Sequence, residues 1–121
     1  MGKRILIIED QGDNRQIMHD ALSASGYESL EARTGEEGLE LAGSEKPDLI
    51  LMDIQLPGMD GYEVTRRIKR NAALNHIPII AVTSYALSGD DQKAFAAGCD
   101  GYLTKPVSLK LLLAKIKEYL P

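Results

Sequence analysis

Short apolar runs alternate along this chain with longer stretches in which apolar residues recur at helical spacing. The runs fall at 5–8, 29–32, 49–52, 79–82 and 101–103. Apolar runs of this length, bounded by polar or turn residues, predict strands. The second is the weakest, with Leu30 and Ala32 as its apolar residues. Alternation of strands with helices predicts an α/β fold, a parallel sheet covered on both faces. Five strands and five helices fit 121 residues without a long loop, as a single domain over 1–121.

The helices carry punctuation. Residues 16–25 include Ile17, Met18, Ala21, Leu22 and Ala24, and stop at Gly26. Thr34 with Glu37 three positions on is a capping-box pattern, and that helix ends before Lys46-Pro47. Asp60 or Gly61 opens the third helix, which holds Val64 and Ile68. Ser88 or Asp90 starts the fourth, which stops at Gly98. Ser108 caps the last, whose apolar stripe is Leu109, Leu112, Leu113, Ile116 and Leu120.

Charge and composition exclude several classes. Net charge is −4 with no basic run, which argues against direct nucleic-acid binding. Lys3 and Arg4 precede only four apolar residues, too few for a signal-peptide core or a membrane span. Leu6 stands where a myristoylation site wants Ser or Thr. A lone cysteine, Cys99, excludes an internal disulfide and suits a reducing compartment. The expectation is a cytoplasmic protein with Cys99 as a small buried side chain.

The candidate chemistry lies at strand ends. Glu9 and Asp10 close the first strand, and Asp53 closes the third. In an open parallel sheet these carboxyl ends share one edge, where ligands bind. Three carboxylates there repel one another unless a cation neutralises them, and a hard divalent ion such as magnesium suits oxygen ligands. Thr83 ends the fourth strand and Lys105 follows the fifth. Acids with a cation, a hydroxyl and a lysine around Asp53 form a phosphoryl-transfer site with the aspartate as nucleophile. Each residue alone has a plainer reading: solvated acids, a helix cap or structural ion pair at Asp53, a turn threonine, a surface lysine.

Ile8-Glu9-Asp10, Leu51-Met52-Asp53-Ile54-Gln55-Leu56-Pro57-Gly58-Met59-Asp60-Gly61, Val82-Thr83-Ser84 and Thr104-Lys105-Pro106, in this order and spacing, resemble the receiver domain of bacterial response regulators. The resemblance covers essentially the whole chain. It implies a flavodoxin-like, doubly wound sheet of order 2-1-3-4-5 with five helices. Asp53 would accept a phosphoryl group from a phosphohistidine on a sensor histidine kinase or histidine phosphotransfer protein. Asp10 and Asp53 would ligate Mg2+ directly, Gln55 through its backbone carbonyl, and Glu9 through water. Lys105 would pair with the phosphate and Thr83 would hydrogen-bond it. Lys105-Pro106 matches the family's cis peptide, and Tyr102 matches the aromatic switch position. The protein would not be an enzyme beyond its own phosphorylation and dephosphorylation.

With no effector segment, the chain is similar to stand-alone regulators. The words Asp-Leu-Ile-Leu-Met-Asp-Ile-Gln-Leu-Pro at 48–57, His76-Ile77-Pro78 and Gly98-Cys99 match the DivK type. A receiver excised from a hybrid kinase shares several of them. The family's signalling surface implies protein partners, and a phosphorylation-dependent dimer, at the fourth helix, fifth strand and fifth helix, where Leu111 lies off the apolar stripe. The first helix, with Asn14, Arg15, Gln16 and His19, is the candidate for kinase docking. His19 and His76 read as solvent-facing. Gln55 and Tyr85 stand where residues modulate water's access to an acyl phosphate.

Two other classes fit less well. Aspartyl-nucleophile phosphatases want a second acid two residues after the nucleophile, and Gln55 stands there. A flavodoxin-like cofactor binder wants a phosphate-cradling first loop, which Glu9-Asp10-Gln11-Gly12-Asp13 would repel without a metal.

Overall fold

A computed structural model describes residues 2–84 and 90–121. Its elements run β1 (Arg4–Ile8), α1 (Gly12–Ala24), β2 (Glu28–Ala32), α2 (Gly35–Glu45), β3 (Leu49–Asp53), α3 (Gly61–Arg70), β4 (Ile79–Thr83), α4 (Asp90–Ala97), β5 (Gly101–Thr104) and α5 (Leu109–Tyr119). The strands form one parallel sheet in the order β2-β1-β3-β4-β5. This is the architecture the alternation and the family resemblance predict. Tyr85 and Ser88 lie outside the described residues.

Strands β3 and β4 are buried at every position, because helices cover both faces of a parallel sheet. β2 is an edge strand with one fully buried residue, Ala32, which accounts for its faint sequence signal. On one face, Leu6, Ile8, Ile50, Met52 and Ala81 pack with Ala42 of α2, Val64 and Ile68 of α3 and Ala94 of α4. On the other, Ile5, Ile7, Leu49, Leu51 and Ile80 pack with Met18 and Leu22 of α1 and Leu112 and Ile116 of α5.

Glycine sets how closely helices approach the sheet. A Cβ on Gly38 would stand 2.5 Å from Ile8 Cδ1, so α2 lies directly on β1. A Cβ on Gly61 would stand 2.5 Å from the Asp53 carbonyl oxygen and 2.7 Å from Ile54 Cα. The start of α3 therefore rests on the backbone that carries Asp53.

The caps fall where the sequence places them. Thr34 Oγ1, Asp60 Oδ1 and Ser108 Oγ accept from the amides of Glu37, Glu63 and Leu111 at 3.1, 2.9 and 3.3 Å. Glu37 reaches back to the Arg33 amide at 2.9 Å.

α1 begins four residues earlier than the apolar period implies. Its first turn is polar, so periodicity is silent there, yet the Arg15 amide already donates to the Gln11 carbonyl at 3.0 Å. Ile17 on α1 and Leu109 on α5 are 52% and 42% exposed, so only part of each predicted stripe meets the core, while Leu111, off the stripe, is 61% exposed as its position implies. No helix among the described residues is long and apolar enough to cross a membrane.

Candidate functional site

Side chains alternate along a strand, and that alternation assembles the site. Glu9 continues the face of Ile5 and Ile7, and Asp53 continues the face of Leu49 and Leu51. β1 pairs directly with β3, so the two carboxylates emerge side by side at the carboxyl edge. With Asp10 they form a trio whose oxygens lie within 4.8 Å of one another. Glu9 and Asp53 are 0% and 4% exposed, whereas Asp10 is open to solvent.

Lys105 supplies the cation. Its Nζ donates to Glu9 Oε1 at 2.6 Å and to Asp53 Oδ2 at 3.2 Å. The Lys105-Pro106 peptide is cis, and the Lys105 amide donates to the Thr83 carbonyl at 2.7 Å. Asp53 Oδ1 accepts from the Gln55 amide at 3.0 Å, and Glu9 Oε2 from the Gln11 amide at 3.2 Å.

One ammonium against three carboxylates leaves the edge acidic. Burial, and then the Asp53 carboxyl, push Glu9 above the ordinary carboxylate range against the opposing pull of Lys105. Partial loss of solvent at the loop, and then Glu9, raise Asp10 as well. Burial opposes the charge on Lys105, but its bond to Glu9 and the two nearby carboxylates outweigh it and hold Lys105 above its ordinary value. The donor set is all oxygen, partly open and net negative, which fits a hard divalent cation.

Thr83 and Tyr102 share the opposite face. Thr83 follows Ile79 and Ala81 along β4, and Tyr102 pairs in register with Ala81. Tyr102 is half-buried against that core and Thr83 is 2% exposed. Ser84, one residue on, lines a cavity of about 410 Å³ with Lys105, Asn14, Ile17, Pro106 and Leu109.

Two residues do more than their sequence positions reveal. Arg15 donates to the carbonyls of Glu9 and Asp10 at 2.9 and 3.2 Å and pairs with Glu31 at 3.4 Å. It fixes the backbone of the acidic loop from one turn inside α1. The Gln55 side-chain carbonyl accepts from the Ser84 amide at 3.3 Å. His19 is half-buried with its ring bonded to Ser29 Oγ, not solvent-facing, because β2 runs beneath that side of α1. His76 is exposed.

A small parallel α/β fold with an acid trio and one lysine on the carboxyl edge defines a class of phosphoryl-linked switches. Residues 5–117 match the response regulator receiver domain, and the chain belongs to that family. It is 46% identical over 120 residues to the polar-differentiation response regulator DivK of Brucella anthropi, covering 99% of this chain and 98% of the relative. A CheY-like receiver domain protein from Methanospirillum hungatei is 37% identical with a TM-score of 0.92, covering 99% of this chain and 94% of that one. The receiver domain of a sensor histidine kinase from Pseudomonas aeruginosa has magnesium coordinated in its active site cleft. It is 33% identical with a TM-score of 0.92, covering 99% of this chain and 98% of that one.

Proposed function

We propose that this chain is a single receiver unit of the DivK type in which Asp53 is the phosphoacceptor. The observation that carries the reading is Lys105 Nζ within hydrogen-bond reach of both Asp53 and Glu9 in an acidic, partly open edge. The 46% identity to a DivK response regulator supports the DivK assignment.

In this reading a carboxylate oxygen of Asp53 attacks the phosphorus of a phosphohistidine on a kinase or phosphotransfer protein. The phosphorus–nitrogen bond breaks, its electron pair stays on the imidazole, and an acyl phosphate forms on Asp53. Asp10, Asp53 and the Gln55 carbonyl would hold Mg2+, with Glu9 reaching it through water. That ion, when bound, supplies positive charge beside the phosphoryl oxygens. Lys105 pairs with one of those oxygens and the Thr83 hydroxyl donates to another. Thr83 and Tyr102 share a sheet face, so reorientation of Thr83 toward the phosphate frees Tyr102 to change rotamer.

The partner carrying the phosphohistidine would dock over the apolar groove beside Lys105, where Ile17 and Leu109 are exposed. The protein would act in the cytoplasm and catalyse no reaction beyond its own phosphorylation and dephosphorylation.

The test is intact mass after incubation with acetyl phosphate and Mg2+. The wild type gains one phosphoryl group, and Asp53→Asn gains none. Turnover of many external phosphate esters per chain would instead identify a phosphatase.

A further inference from the structure

The pairing between β3 and β4 stops one rung short. Its last rung takes the Ile54 amide to the Val82 carbonyl at 3.2 Å. In a parallel ladder the next rung would take the Ser84 amide to the Ile54 carbonyl, because Val82 and Ser84 point the same way. That carbonyl is already used by the amides of Gly61 and Leu56 at 3.0 and 3.1 Å. The chain has turned away after Asp53 to enter α3. The Ser84 amide thus faces the end of β3 without its rung, and the Gln55 side chain supplies the acceptor at 3.3 Å.

Gln55 therefore holds two things at once. Its backbone N–H donates to Asp53 Oδ1, and its side-chain oxygen accepts from Ser84. Ser84 lines a cavity with Lys105, whose Nζ bonds Asp53 Oδ2, and its amide is held by Gln55, whose own amide bonds Asp53 Oδ1. These contacts put the Ser84 amide on the side of the site where a phosphoryl group on Asp53 would add negative charge. A hydrogen bond from an amide to an anion is roughly twice as strong as one to a neutral carbonyl. The phosphoryl group wins that competition, and the bond it displaces reduces its gain.

We propose that the Gln55 side chain is a positioning residue for the switch: it occupies the Ser84 amide in the unphosphorylated protein and must release it to the phosphoryl group on Asp53. The proposal rests on the reading of Asp53 as phosphoacceptor. Gln55 is half-exposed, and the substitutions to Met and Glu keep its backbone N–H and carbonyl.

The test uses the full chain with Mg2+ and beryllofluoride, a non-covalent mimic of the phosphoryl group. Gln55→Met keeps the length of the side chain and removes the acceptor; Gln55→Glu keeps an acceptor. The Ser84 amide proton in a ¹H–¹⁵N spectrum of the free protein is expected to move upfield in Gln55→Met and not in Gln55→Glu. In the beryllofluoride complexes of wild type and Gln55→Met it is expected to coincide. Beryllofluoride affinity is expected to rise in Gln55→Met by a factor of about 2 to 10, the worth of one neutral hydrogen bond. An unmoved Ser84 amide, or an unchanged affinity in Gln55→Met, overturns the role of Gln55 while leaving Asp53 in place. If wild type binds no beryllofluoride, or Asp53→Asn binds it equally well, the phosphoacceptor reading fails and this proposal falls with it.

Discussion

Lys105 Nζ lies 2.6 Å from Glu9 Oε1, closer than the 3.2 Å to Asp53 Oδ2, so the lysine's first partner in this state is the buried glutamate. Glu9 is 1% exposed at its side chain and Lys105 is 18% exposed. Glu9 therefore has little water to fall back on when the lysine is removed.

Breaking that pair leaves a shielded carboxylate beside two others. Lys105→Met is expected to cost about 1–3 kcal/mol of stability in metal-free buffer. Adding Glu9→Gln to it should recover most of the loss, since a neutral amide needs no counter-charge. Urea melts of both single variants and the double variant measure the coupling. Additive losses would mean that the pair does not act as a unit.

Magnesium and protons should compete for the acid trio. A carboxyl raised in the folded state holds its proton more tightly there than in the unfolded chain. Metal-free stability from Glu9 and Asp10 therefore falls as pH rises from the ordinary carboxylate range through their raised values. Mg2+ binds the deprotonated site, so its stabilisation is expected to grow across the same interval. At roughly a hundred times its Kd it is worth about 2.7 kcal/mol. Thermal melts with Mg2+ and with a chelator, at mildly acidic and at neutral pH, test this. An equal Mg2+ effect at both would contradict it.

Gly61→Ala should disturb the site from outside it. The added methyl meets the Asp53 carbonyl and Ile54 Cα at 2.5 and 2.7 Å, and backbone does not yield as a flexible side chain does. Overpacking of this kind costs about 1–3 kcal/mol. The variant is expected to melt lower and to take phosphate from acetyl phosphate more slowly. Unchanged melting and rate would show that α3 can lift without consequence.

Cys99 is buried against Thr65, with Sγ 3.6 Å from Oγ1. Burial pushes its thiol from 9.0 up to about 11. Between those values the folded chain keeps a proton that the unfolded chain loses. Its contribution is intact below 9.0 and declines as pH rises towards about 11, by at most about 2–3 kcal/mol. Cys99→Ala should remove that alkaline decline in urea melts. Near neutral pH a disulfide reagent should label Cys99 rapidly in urea and slowly in the folded protein.

The strand ends were legible because burial on both faces writes an unbroken apolar run, and a charge that closes such a run stands out. Leu49 to Asp53 is the clearest case. The first turn of α1 was not legible, since polar residues carry no apolar period and the Gln11 side chain makes no cap bond. Ile17 and Leu109 read as core by spacing, yet they face the groove beside Lys105. Arg15 and the Gln55 side chain act through carbonyls and an amide, and backbone groups leave no mark on a sequence. The spacing of Arg15, five and six residues beyond Asp10 and Glu9, was the available signal.

The ion pair at the centre of the site closes a loop of 96 residues, from the end of the first strand to the residue after the last. No shorter piece of this chain contains both its acids and its cation. A ribosome-bound or clipped chain that stops before Lys105 carries Glu9 and Asp53 without the lysine that pairs with them. The two buried acids thus stay without their lysine until the chain has been made and folded through β5.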